Sequence, residues 1–134
     1  MNIDKIKLNT LKTIISENKI EDFEKIKNPE ELLDFMKDNI TYGFVGKNNE
    51  KMYDNNEAIN TDFEKEYYLQ SPEELLDSKH GVCWDSVELE RRWFSKHEYD
   101  YKTYFMMFNK EEKTGLPTHT FLVYKNNNKF FWFE

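Results

Sequence analysis

The run Gly81–Lys96, GVCWDSVELERRWFSK, decides the fold. Gly81 closes the segment before it, and from Val82 onward apolar residues return at helical spacing. Cys83, Val87 and Phe94 lie on one side of such a helix, with Val82, Leu89 and Trp93 close beside them. A helix apolar over so much of its circumference belongs in the middle of a core. Three β-like runs follow it: Tyr101 to Phe108, Thr118 to Lys125, and Lys129 to Glu134. The last two are separated by Asn126, Asn127 and Asn128, a tight hairpin composition. Helices first and antiparallel strands afterwards imply an α+β domain. Its expected architecture is a helical N-terminal half and a central helix carrying Cys83, packed on a small antiparallel sheet.

Working outward toward the N-terminus, the pattern is polar and helical. Ile3, Leu8, Leu11, Ile14 and Ile15 lie near helical spacing, and a second short segment runs around Phe23 and Ile26. Asn28, Pro29, Glu30 and Glu31 then open a helix through Leu32, Leu33, Phe35 and Met36. Asn28 suits the cap, Pro29 the first helical position, and Glu31 the place where a capping box wants an acid. The device returns at Ser71, Pro72, Glu73 and Glu74; Pro29 to Asp34 and Pro72 to Asp77 are the same hexapeptide, PEELLD. Their flanks diverge completely, so this is a good helix start used twice rather than a duplication. Between the two, Thr41 to Thr61 is rich in Asn, Gly and charge, and reads as a long surface loop with a short strand, bordering a cleft. The whole chain, 1–134, reads as one domain: 1–70 mostly helical, 71–134 holding the chemistry.

Composition narrows the classes. A chain of 134 residues can bury a modest core, and its 16% aromatic content offsets a hydrophobic fraction of only 38%. The net charge of −7 and the lack of any Lys/Arg cluster argue against a nucleic-acid partner. A lone cysteine makes no intramolecular disulfide and fits a reducing compartment. The N-terminus lacks the apolar core of a signal peptide, and no run reaches membrane-spanning length, so a cytoplasmic location and no membrane partner are expected. The abundance of Lys, Asn and Ile matches AT-rich coding of bacterial or phage type.

The chemistry gathers on three residues. Cys83, in a first helical turn, feels the positive end of the macrodipole and unpaired backbone N–H groups. Both favour thiolate, and the Cys83 N–H is placed to donate to an oxyanion. Alone, such a cysteine reads equally as a small buried hydrophobe. In Thr118–Tyr124, alternation puts His119, Phe121 and Val123 on one face; taken as the face against the central helix, it lets His119 act as general base toward the thiol. A satisfied core histidine is the bland alternative. Pairing the hairpin about Asn127 sets His119 opposite a position near 135, so Glu134 becomes its neighbour and can orient the imidazole; a solvated acid is the other reading. His80 and His97 near Cys83 lack the companions of a zinc site. Asp85 suits helix-dipole stabilisation, and Glu88, Glu90, Arg91 and Arg92 a solvated or salt-bridged face. Trp84, Trp93 and Trp132 offer either cleft walls or core, Met106 and Met107 core or pocket lining, and Gln70 and Tyr42 are loose oxyanion-hole candidates.

Taken together, these residues resemble the transglutaminase-like superfamily of papain-like thiol enzymes. That family shows a Gly-x-Cys element starting the central helix, then a histidine on a strand, then an acid on the next. Gly81-Val82-Cys83 matches the first, Thr118-His119-Thr120-Phe121 the second, and Phe131-Trp132-Phe133-Glu134 the third; Asp85, two after the cysteine, also fits. The match covers about residues 71–134. It departs from the family in having Glu rather than Asp as the third residue, and in stopping there, where members usually continue with further strands. A sheet ending at Glu134 would leave an exposed edge open to self-association.

The resemblance implies a catalytic Cys83, His119 and Glu134 acting on peptide or glutamine amides of a protein or peptide substrate through a cysteine thioester. Hydrolysis is expected over transamidation, and no cofactor or metal is required. The alternative is a non-catalytic binding module that keeps the fold.

Overall fold

The computed structural model describes residues 19–46, 51–53, 67–107 and 118–134. The helix expected over Ile3–Ile15 lies outside the described residues.

Helical residues 19–24 bring in Phe23, and α1 follows at Pro29–Asn39. Asn28 caps α1 as expected: its side chain accepts from the Glu31 N–H at 2.8 Å. The second PEELLD copy opens α2, Pro72–Ser78, with a full capping box. Ser71 Oγ accepts from Glu74 N–H at 3.2 Å, and Glu74 accepts from Ser71 N–H at 3.1 Å. Such caps contribute about 1 kcal/mol each by satisfying orphan first-turn donors. The central helix is α3, Cys83–Lys96.

Two three-stranded sheets flank these helices. The first contains β1 (Thr41–Val45), β2 (Lys51–Tyr53) and β3 (His80–Gly81), in order β2-β1-β3. β1 runs antiparallel to β2 and parallel to β3. The surface loop expected from Thr41 thus begins as a central strand, with Phe44 and Val45 buried. In Thr41–Val45 the buried residues are consecutive, so no period-2 pattern announced it. The second sheet is the expected antiparallel one: β4 (Tyr101–Met107), β5 (Thr118–Asn126) and β6 (Lys129–Phe133), in order β4-β5-β6. Asn127 and Asn128 both take positive φ, 52° and 64°, as a two-residue hairpin turn demands.

α3 packs on β5 and on α2. Trp93 and Phe94 are fully buried, each worth roughly 1.5–3 kcal/mol of apolar burial. Phe94 meets Tyr124 and Phe133 from the sheet, and Leu32, Met36, Leu75 and Leu76 close the core from α1 and α2. The side of β5 against α3 is therefore Thr120, Leu122 and Tyr124, which corrects the expectation that His119, Phe121 and Val123 face the helix. Those three do share a face, but it is the opposite one, where Phe121 stacks between Tyr104 and Trp132. Both faces of β5 carry large apolar side chains, so alternation alone could not choose between them; the aromatic partners on α3 and β6 do.

Candidate active site

Local bonding fixes the start of α3. Gly81 ends β3, and a Cβ there would sit 2.7 Å from Leu75 Cδ1 and 2.9 Å from Asp85 Cβ, so only glycine lets the strand approach the helix start so closely. Asp85, fully buried, accepts from Val82 N–H at 2.9 Å, Gln70 N–H at 2.9 Å and Tyr67 O–H at 3.1 Å. Its role is the expected one, stabilising the N-terminus of its own helix; it also ties residues 67–70 to that terminus. Burial raises the Asp85 carboxyl, and the three donors pull it back. Tyr67 is raised strongly, first by burial and then by the Asp85 charge, so it remains a donor. Gln70 is spent on structure: its side-chain NH2 donates to the His80 carbonyl at 2.7 Å, and its amide oxygen accepts from Ser78 Oγ at 2.7 Å. This removes Gln70 from the oxyanion-hole candidates, whereas Tyr42 stands beside Cys83 on the cavity described next.

Cys83, half-buried in the first turn of α3, lines a cavity of about 290 Å3. α1 supplies one wall with Leu33, Met36 and Lys37, and the far side is His119, Thr120, Phe133 and Glu134. The register explains why both faces of β5 reach this space. β6 pairs with β5 as far as Phe133 against Leu122, so residues 118–121 extend beyond the last described pair. Continued by one residue, that register sets Glu134 against Phe121, diagonal to His119 and on the same face. The expected neighbour relation holds, shifted by one position because the turn centres between Asn127 and Asn128. The His119 Nε2 and the Glu134 carboxylate are in direct hydrogen-bond contact. With Nε2 so engaged, Nδ1 is the nitrogen left for proton transfer.

The structure thus collects Cys83, His119 and Glu134 at one cavity and joins the last two directly. Among the described residues no hydrogen bond links Cys83 to His119. Such bonds are often long before substrate binds.

Glu90 is the residue that sequence reasoning misplaced. Expected on a solvated face, it is 5% exposed and lines the same cavity. Burial pushes its carboxyl well above the ordinary 4.5, and the charge of Glu134 adds to the effect. The clue was available: position 90 lies two turns beyond Cys83, on the stripe of 83, 87 and 94. The tryptophans, by contrast, do not wall this cavity. Trp93 is core, donating to the Ile26 carbonyl at 3.0 Å; Trp84 packs with Tyr67 and Phe105; and Trp132 lies on the outer sheet face. His80 Nδ1 is bonded to the Ser78 carbonyl oxygen, and His97 Nε2 to that of Glu24. Met107 is exposed rather than core.

A family model described as a transglutaminase-like domain matches residues 8–134, and the chain belongs to that family. The match takes in the N-terminal half, which the motifs alone did not reach. No curated protein and no solved structure matches the chain significantly. No described helix is long and apolar enough to cross a membrane.

Proposed function

We propose that this chain is a thiol enzyme that cleaves amides of peptides or of glutamine side chains through a Cys83 thioester. The observation that carries the reading is the shared cavity: a cysteine at a helix N-terminus and a histidine–carboxylate pair face one space. In the first step the thiol proton passes to His119 Nδ1 and Cys83 Sγ bonds to the amide carbon. The oxyanion is met by first-turn N–H groups of α3. The C–N bond then breaks as His119 returns the proton to the leaving amine or ammonia. In the second step water attacks the thioester, gives its proton to His119, and the thiol leaves as acid is released. Glu134 keeps the imidazole in the working tautomer and stabilises the imidazolium. Water is the proposed acceptor, because no sequence motif identifies a site for an amine acceptor.

A second reading, a binding module that keeps the fold, is favoured by one observation: His119 lies on the face of β5 turned away from α3. The pH dependence of iodoacetamide alkylation decides between them, because Cys83 is the sole cysteine. Rapid labelling persisting to about pH 6, and weakened in His119→Ala, is expected for a thiolate–imidazolium pair. Labelling only near pH 8.5, or only on denaturation, favours the module.

A further inference from the structure

Glu90 is a buried carboxyl with no evident structural task. Among the described residues it makes no hydrogen bond and no ion pair, although it is 5% exposed and borders the cavity. Among the described residues no fully enclosed side-chain oxygen or nitrogen lacks a partner, so the Glu90 carboxyl, although its residue is buried, opens onto the cavity and is free to meet a ligand there. The walls around it are apolar: Leu33, Met36 and Ile40 from the α1 side, Val87 from α3, and Phe133 from β6. A second carboxylate, Glu134, lines the same cavity, close enough for its charge to act on Glu90. Lys37 also borders the cavity, but it is exposed and makes no ion pair with Glu90.

We infer that Glu90 is a specificity-determining residue, and that the cavity takes a lysine side chain of the substrate. The inference rests on reading this cavity as the substrate cleft. Apolar walls suit the four-carbon stem, and the ammonium supplies both the missing hydrogen-bond donor and a positive charge for the two carboxyls that line the cavity. A volume of about 290 Å3 holds one side chain rather than a drug-sized ligand. Seven residues of helix separate Glu90 from Cys83, about 10 Å along the axis. Glu90 therefore reads a flanking side chain and not the amide under attack. As lysine enters, its ammonium favours the charged carboxylate, so an ammonium–carboxylate pair forms at Glu90 and any proton held there is released to solvent.

The test uses the full chain carrying Cys83→Ala, so that binding is read without turnover. Acetylated tripeptide amides that differ at one side chain (lysine, norleucine or glutamine) are titrated calorimetrically in two buffers of different ionisation heat. The lysine peptide is expected to bind about tenfold more tightly than norleucine, a difference of about 1.4 kcal/mol, with net proton release. Adding Glu90→Gln, close in shape and without the charge, is expected to erase the preference while leaving norleucine binding in place. Equal binding of lysine and norleucine, a preference that survives Glu90→Gln, a preference for glutamine, or no binding at millimolar peptide each overturns the inference. The alkylation test on the wild-type chain fails or succeeds separately, so loss of the catalytic reading and loss of this one are distinguishable.

Discussion

The two ends of the candidate site are built differently. Around Cys83, buried polar groups are closed on one another: Asp85 takes three donors, Gln70 spans Ser78 and His80, and Gly81 admits the strand against the helix. Around His119, the imidazole is stacked on Phe121 and hydrogen-bonded to the Glu134 carboxylate, and the His119 and Glu134 side chains are 34% and 49% exposed. The nucleophile's position is thus part of the folding core, whereas the base is set by a ring stack and a hydrogen bond that solvent reaches. Stability and chemistry should separate accordingly: substitutions at the helix start unfold the protein, and those at the sheet end change reactivity.

Asp85→Ala should have the largest effect on folding. It strips three donors of their acceptor in a buried setting, at a cost on the order of 3–5 kcal/mol, read as a shift in guanidinium midpoint. A loss under 1 kcal/mol would show that the helix start is not the rigid end. Gly81→Ala comes next. Leu75 Cδ1 is the tip of a side chain and can yield, but Asp85 Cβ, 2.9 Å from the new methyl, cannot without moving the helix. A cost of about 1–3 kcal/mol is expected, with slower Cys83 alkylation if the first turn shifts.

The contrast follows what the sequence made legible. Local rules wrote the elements: Asn28 and Ser71 cap the two PEELLD starts, although Glu31 accepts from the Lys27 N–H and closes no capping box as Glu74 does; the paired asparagines turn the hairpin, and the apolar stripe of α3 is central. The α+β class and the meeting of His119 with Glu134 came from the same rules. Choices set by non-local packing were out of reach. Phe121 and Val123 compete with Leu122 and Tyr124 for the helix side of β5, and only Phe94 and Phe133 decide the matter. β1 is buried by pairing with β3, 35 residues or more downstream, which no pattern within Thr41–Val45 encodes. Glu90 was misread because a charged residue on a helix is ordinarily solvated, and its position relative to Cys83 weighs against that prior only once a cavity is known to lie there.

Glu90→Gln should act with the opposite sign. The folded state holds the Glu90 proton above the ordinary glutamate value of 4.5, where the unfolded chain releases it. Wild-type stability is therefore lost as pH rises from about 4.5 toward the raised folded value. Glutamine does not titrate, so the variant should gain on wild type across that window, relative to the difference between the two proteins at pH 4. Denaturant melts of both proteins at the two pH values give the comparison with other titrations cancelled. A difference that stays constant with pH would mean that Glu90 is ionised in the folded protein.

Glu134→Gln should have the smallest effect on folding. An ion pair this exposed contributes about 0–1 kcal/mol, and glutamine can still hydrogen-bond the ring. Its charge cannot be replaced, however, and the imidazolium that would accompany a Cys83 thiolate loses its counter-ion. Alkylation at pH 6 should slow roughly tenfold, the factor corresponding to one pKa unit of lost stabilisation, with the melting midpoint nearly unchanged. That pairing of a kinetic change with a thermodynamic non-event is what separates an orienting carboxylate from a structural one. If Glu134→Gln instead destabilised the fold as much as Asp85→Ala, the sheet end would be as much a part of the core as the helix start. If it changed neither quantity, the His119 contact would have no bearing on the thiol.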